Sequence, residues 1–402
     1  MDNLDMDPSK NSLALSHESA SVVAKRGAAT RKDGTTTTAR EEKRRKWQAK
    51  QDNRKLLNDQ QEERKRWILN NSHFASIASK EDANQIAEKR NTNTALADAL
   101  QPYFNLQDSR SDETMSKSSE RLFIAEGTET IRILIQQSLR QSNPSMNPIR
   151  VKSIFVKPSV FFDSPVHLLQ DIQKIYNTSK YAEEAVKIYP PFQVIIGTED
   201  VLSNVAGFHI ARGALACGVV PLDRDELWLD QLLRRRYHEK NGRIRVLALD
   251  GICDTANLGS MIRSASAFGM DAVVLSDDCC DAWYRRSVRV SMGHVFLVPI
   301  VRVRKLADFI HQWSSEPFRL LSYAAVVDPE ADIILEDLER GMVPSGWMCV
   351  IGNEGNGISS AVRRACEKSI RINMAMGVDS LSVPIAAGIL LHGLQAREAK
   401  SN

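Results

Sequence analysis

Between residues 243 and 402, three short apolar runs each end in a glycine-containing segment, and each of those segments opens a stretch with helical periodicity. No other feature constrains the fold as tightly. The run 245–250 is continuously apolar from Val246 to Leu249 and ends in Asp250. A continuous run, unlike an alternating one, implies burial on both faces, as in a parallel sheet covered by helices. In open sheets of that kind ligands bind outside the carboxyl ends of the strands, so all three turns lie where a site would form.

The remaining pattern extends this reading. Residues 257–268 suit a helix closed by Gly269. Further strands are expected at 272–275, 295–298, 320–325, 348–352 and 370–374, and helices at 306–313, 359–368 and 380–399. An upstream unit, 119–225, alternates strands (121–127, 151–156, 192–197, 213–220) with helices (130–141, 166–176, 199–205), which implies a small α/β layer structure. Residues 70–118 show no clear period and read as a linker. Residues 1–40 are small and polar and bury little. Residues 40–66 are dense in charge and read as an exposed helix: a basic arm for RNA phosphates, a nuclear address at 43–46, or a solvated tail. The domains expected are therefore a disordered and charged helical extension at 1–118, a 119–225 unit and a 243–402 unit.

Whole-chain charge decides little, since 53 basic and 50 acidic residues leave only +3. The six cysteines include no C-x-x-C pair, which argues against a zinc ribbon or a redox motif and for reduced thiols in an intracellular protein. No apolar stretch approaches the roughly 18 residues of a membrane span. Asp2, Asp5 and Asp7 do not suit a signal peptide. Neither a metal nor a membrane partner is expected. The compartment expected is cytoplasmic or nuclear, nucleolar included, with a mitochondrion or plastid left open.

Read one residue at a time, the three segments have ordinary structural explanations. Asn257 can cap a helix, and Arg263 can be a surface arginine. Gly352, Gly355 and Gly357 bracket Asn353 and Glu354 in a tight strand-to-helix turn with Ser359 as a cap. Their spacing is G-x-x-G-x-G, not the dinucleotide G-x-G-x-x-G, which disfavours a nicotinamide-dependent dehydrogenase. Ser380 suits an N-cap, with Pro384 tolerated in the first turn that follows.

Taken together, in order and spacing, the three segments resemble the signature motifs of the SpoU methyltransferases of the SPOUT superfamily. The first motif falls at Asn257, Gly259, Arg263, Phe268 and Gly269, the second at Gly352 to Gly355, and the third at Ser380 and Leu381. The stretch 288–293 is also similar to the family, and residues 119–225 resemble its substrate-binding domain through 124–127 and 213–216.

The resemblance implies a trefoil-knotted open parallel sheet with helices on both faces, preceded by a small α/β RNA-binding domain and a charged N-terminal arm. It implies an S-adenosylmethionine-dependent transfer of methyl to a ribose 2′-hydroxyl, in rRNA first and tRNA next, by a homodimer. Gly352, Ile372 and Leu381, with Asn353 and Gly357, are implied to hold the cofactor; Arg263, Asn257, Glu354 and Ser380 are implied in catalysis. A guanidinium is too strongly protonated to act as an ordinary base, so Arg263 is read as stabilising charge on the sugar oxygen or binding a phosphate. The family's third motif carries Ser-Leu-Asn-Val-Ser where this chain has Ser380-Leu381-Ser382-Val383-Pro384. That departure supports the alternative, a weakly active or inactive RNA-binding assembly factor.

Overall fold

The computed structural model describes residues 44–52, 74–88, 94–104, 120–139, 149–163, 192–221 and 224–399, with single positions at 55, 106, 168 and 172. The chain divides into two compact units, Met1–Lys65 and Arg66–Asn402. In the first, residues 44–52 are helical with every side chain exposed, as the charge density of 40–66 requires. Apart from Lys55, the other residues of that segment, residues 1–40, and all but two positions of the helix expected at 166–176 lie outside the described residues.

The second unit begins with β1 (Phe74–Ile77), α1 (Lys80–Glu88), α2 (Thr94–Leu100), β2 (Leu122–Glu126), α3 (Thr128–Leu139), β3 (Val151–Val156), α4 (Pro158–Asp163), β4 (Gln193–Gly197), α5 (Glu199–Ala206) and β5 (Ala214–Val219). The five strands form one mixed sheet in the order β1-β4-β3-β5-β2. Residues 70–118 are thus more than the linker expected of them, because β1 pairs with β4. Tyr103, buried just after α2, donates to the Ser153 carbonyl at 2.9 Å, and Ser153 Oγ donates to the Ala99 carbonyl at 2.8 Å. A four-residue edge strand and two short helices leave no window long enough to show a period.

There follow α6 (Glu226–Glu239), β6 (Arg245–Asp250), α7 (Thr255–Ala267), β7 (Ala272–Leu275), α8 (Arg285–Val290), β8 (Ile300–Arg302), α9 (Leu306–Ser314), β9 (Leu321–Ala325), β10 (Ile333–Ile334), β11 (Trp347–Gly352), α10 (Ser360–Ala365), β12 (Lys368–Arg371) and α11 (Val383–Ala396). The seven strands form an all-parallel sheet in the order β10-β12-β9-β11-β6-β7-β8. Its faces follow from the pleat, which sends alternate side chains to opposite sides. Leu247, Leu249, Cys349 and Ile351 pack with Met261 and Ile262 of α7 and Leu390 and Leu391 of α11. Val246, Ala248, Met348 and Val350 pack with Leu229 and Leu233 of α6 and Ile310 and Trp313 of α9. Helices therefore cover both faces, as the unbroken apolar runs demanded.

Four local expectations need correction. Residues 295–298 are no strand: His294–Phe296 is a 3-10 turn that buries Val295 and Phe296, and β8 starts only at Ile300. An apolar run alone does not separate a buried turn from a strand. The strand expected at 370–374 is Lys368–Arg371, so α10 stops at Ala365. The last helix starts at Val383, after Ser380. Helix α6 went unassigned because its arginine-rich exposed face masks the buried Leu229, Leu232 and Leu233.

The two sheets share one continuous apolar cluster. At their junction Phe123 of β2 lies 5.1 Å from the Trp283 ring and 5.3 Å from that of Phe296. Two ion pairs, Arg121 with Asp281 and Arg289 with Glu126, flank this aromatic contact.

Candidate active site

The adjacent parallel strands β12, β9 and β11 end together, and beyond their carboxyl ends lies a cavity of about 510 Å³. It draws its lining from four stretches: 325–328 after β9, 351–358 after β11, 370–374 at the end of β12, and 380–390 leading into α11. Most of the lining is apolar, and Asp328 and Glu354 are its only charged side chains. A cavity of this size suits a cofactor of adenosyl size, since ligand pockets span about 300–1,000 Å³.

The second glycine segment forms the rim. Asn353 and Gly357 exchange two backbone hydrogen bonds, of 3.0 and 2.9 Å, closing a tight loop. This loop explains Gly352: a Cβ there would collide with the backbone of Gly357 and Ile358, and backbone has no rotamer by which to yield. Asn353 ties the rim to the turn after β6. Its Nδ2 donates to the Gly251 carbonyl at 2.7 Å, while its Oδ1 accepts from the backbone N–H of Gly355 and Asn356 at 2.8 and 3.1 Å. The Asn353 side chain is therefore committed to holding the loop, and what it can offer a ligand is its place in the wall.

The helix that follows the first turn adds a further side-chain tie to the second segment. Asn257 Nδ2 donates to Glu354 Oε1 at 2.7 Å. Asn257 does not cap its helix, as its position had suggested. That role belongs to Asp254, whose Oδ1 accepts from the N–H groups of Ala256 and Asn257 at 2.6 and 2.9 Å. The bond from the Asn257 N–H is the largest cause holding the Asp254 carboxyl below its ordinary pKa. With the cap supplied by Asp254, the Asn257 amide is free to reach across to Glu354. Gly259 has a packing role, since a Cβ would come within 2.6 Å of the Ser287 carbonyl of α8.

Two further caps differ from expectation. Ser359 makes no side-chain cap bond; its N–H instead donates to Asp250 Oδ2 at 2.7 Å, which ties the end of β6 to the start of α10. Ser380 does not cap the last helix either. The N-cap position is Ser382, which makes no side-chain cap bond, with Pro384 in the first turn as expected.

The fold thus brings together Gly352, Asn353, Glu354, Gly357, Ile372, Ser380 and Leu381 around the cavity, and Asn257 joins them through Glu354. It does not bring Arg263 there. That side chain is exposed on α7 and absent from the lining. Six residues on from Asn257, it points about 120° away around the helix. Its charge instead acts on the half-buried His294, whose imidazole is held below its ordinary pKa first by burial and then by Arg263. The residues 325–328 were missed by the sequence reading, since they follow a strand with no glycine to mark a turn. Asp254 was missed because the neighbouring asparagine looked the better cap.

Of the thiols, Cys253 meets the rim, its Sγ lying 3.6 Å from Asn353 Nδ2. All six cysteines are unpaired, and burial pushes Cys349 and Cys366 up to about 12. No group of three or more potential metal ligands is found among the described residues, and no described helix is long and apolar enough to cross a membrane.

Residues 245–392 match the model of the SpoU rRNA Methylase family. A Mycobacterium tuberculosis protein named as an uncharacterized tRNA/rRNA methyltransferase is 37% identical over 198 residues, 48% of this chain and 62% of that protein. The chain thus spans less than two thirds of that relative's length. A Staphylococcus aureus protein named for the TrmH family of tRNA/rRNA methyltransferases is 32% identical over 223 residues, 56% of this chain and 82% of that protein. The 23S rRNA (guanosine(2553)-2′-O)-methyltransferase of Bacillus subtilis is 30% identical over 151 residues, 38% of this chain and 58% of its own length. Among solved structures, the SpoU methyltransferase AviRb of Streptomyces viridochromogenes, in complex with AdoMet, shares the fold. Its TM-score is 0.53 at 21% identity, covering 74% of this chain and 96% of AviRb.

Proposed function

Since the chain belongs to the SpoU methylase family, we propose that it is an S-adenosylmethionine-dependent RNA methyltransferase acting on a ribose 2′-hydroxyl, in rRNA before tRNA. The observation that carries this reading is the Asn257–Glu354 hydrogen bond on the rim of the 510 Å³ cavity, because it couples two motif segments at one wall. The apolar lining fits an adenosyl group, which needs burial. Gly352, Ile372 and Leu381 would hold it, with Asn353 and Gly357 shaping the wall. When bound, the cofactor supplies an electrophilic methyl on a sulfonium.

The chain's own residues supply position and charge. Asn257 fixes Glu354, leaving Glu354 Oε2 free to accept from a sugar hydroxyl, and Ser380 offers a further hydroxyl at the rim. Holding the reacting oxygen in line accounts for much of the rate in such transfers. Arg263 would stabilise charge on that oxygen. Because it lies outside the cavity of its own copy, this role calls for a homodimer in which a second copy delivers it. The trefoil knot belongs to the same reading, which the parallel sheet and the family support.

The test is transfer of labelled methyl from S-adenosylmethionine into total RNA, followed by nucleoside analysis. Label in 2′-O-methylnucleosides is expected. Label on bases would overturn the ribose assignment. Cofactor binding with no transfer would favour the assembly-factor alternative, for which Ser382 is the motivating departure.

A further inference from the structure

The cavity at the ends of β12, β9 and β11 is charged on one side of neutrality only. Its walls are mostly apolar, among them Ile351, Ile358, Ile370 and Leu390, and no lysine, arginine or histidine lines it. Two carboxylates do: Glu354 on the rim after β11, and Asp328 in the loop after β9. Glu354 is tied to Asn257 at 2.7 Å. Asp328 is exposed, its Oδ1 accepts from the Glu330 N–H at 2.9 Å, and its Oδ2 has no partner among the described residues. That single bond closes a local turn, which an asparagine would close equally well. The turn therefore accounts for the side chain's shape and not for its charge.

Such a wall selects by charge. A cavity of about 510 Å³ is on the order of 10 Å across, comparable with the screening length of about 8 Å at physiological salt. A cation seated anywhere in it lies in the field of both carboxylates, and apolar walls concentrate that field. A phosphate-bearing nucleotide would be repelled by both and would meet no cation in the lining.

We propose that Asp328 shifts the preference of the site toward S-adenosylmethionine over its demethylated product, S-adenosylhomocysteine, so that the spent cofactor leaves more readily. This rests on the methyltransferase reading and deepens it. The two molecules share the adenosyl, ammonium and carboxylate groups and differ by one methyl and one positive charge on sulfur. A carboxylate that acts on that charge alters the preference between them. One that acts by a hydrogen bond to a shared group alters both affinities alike. Opposite unit charges roughly 8 Å apart favour binding about twofold through water and about thirtyfold at an effective dielectric constant of about 20. Because Asp328 is exposed, an effect of about threefold is expected.

The test is calorimetric titration of the full chain with S-adenosylmethionine and, separately, S-adenosylhomocysteine at low ionic strength. In Asp328→Asn the ratio of the two dissociation constants should move about threefold toward the product, mainly through weaker binding of S-adenosylmethionine. The control Glu330→Gln removes the same charge two residues away, outside the lining, and should keep the wild-type ratio. Retained binding of S-adenosylhomocysteine by Asp328→Asn shows that the variant is folded. Equal weakening of both ligands, no change in either, or the same shift in Glu330→Gln overturns the role of Asp328 and leaves the methyltransferase reading standing. A wild type that binds neither ligand overturns both.

Discussion

Removing the hydrogen bond between Asn257 and Glu354 is the most informative perturbation. At 2.7 Å the Asn257 amide donates to a carboxylate. A hydrogen bond to a charged group contributes about 1.5–3 kcal/mol. Asn257 is half-buried and Glu354 exposed, so water competes and the lower end applies. About 1.5 kcal/mol corresponds to a little over tenfold in rate. Asn257→Ala should therefore lower kcat/KM for methyl transfer roughly tenfold. Its stability should change little, because the helix cap is made by Asp254 and survives. Glu354→Ala should cost more, since it also removes the free Oε2. The decisive quantity is the double-mutant cycle: if Asn257 acts by orienting Glu354, the double variant should be no slower than Glu354→Ala, with a coupling of about 1.5 kcal/mol. Additive losses would refute the orienting role and leave Asn257 with an independent function. Calorimetric S-adenosylmethionine affinity, unchanged in Asn257→Ala, separates orientation from a collapsed cavity.

Gly352→Ala should abolish measurable cofactor binding and lower the melting temperature, because the new methyl meets the backbone of Gly357 and Ile358; retained affinity in calorimetry would contradict the tight-loop account. Arg263→Ala should eliminate methyl transfer while sparing cofactor affinity, since the side chain lies outside the cavity of its own copy. Mixing that variant with a Glu354→Ala variant should restore part of the activity if sites form across a dimer. His294 has a folded pKa below its ordinary 6.5, through burial and then Arg263. Its stabilising contribution is complete above about pH 6.5 and is lost as pH falls through the folded value, because only the unfolded chain readily takes the proton. His294→Gln should flatten the loss of stability between pH 7 and pH 5 in denaturant titrations, and an unaltered profile would rule this out.

What the sequence determined by itself was local. The unbroken run 245–250 required a sheet covered on both faces, and alternate residues do pack against α7 and α11 on one side and α6 and α9 on the other. Gly352, Glu354 and Leu381 were legible as candidates because glycine at a strand end and the spacing of each motif are short-range properties, and all three line one cavity. The tertiary structure alone decided which side chains meet. Asn257 and Glu354 are 97 residues apart, so no spacing rule pairs them. The cap of α7 went to Asp254 instead of Asn257, because geometry, not residue type, selects among several acceptors at a helix start. Strand β1 acquired its place through pairing with β4, more than a hundred residues away. The separation of Arg263 from the cavity follows from helix phase, a consequence of how α7 is docked. Long-range pairing depends on the relative placement of whole elements, and that is set by burial of their apolar faces, which a linear pattern reports only one element at a time.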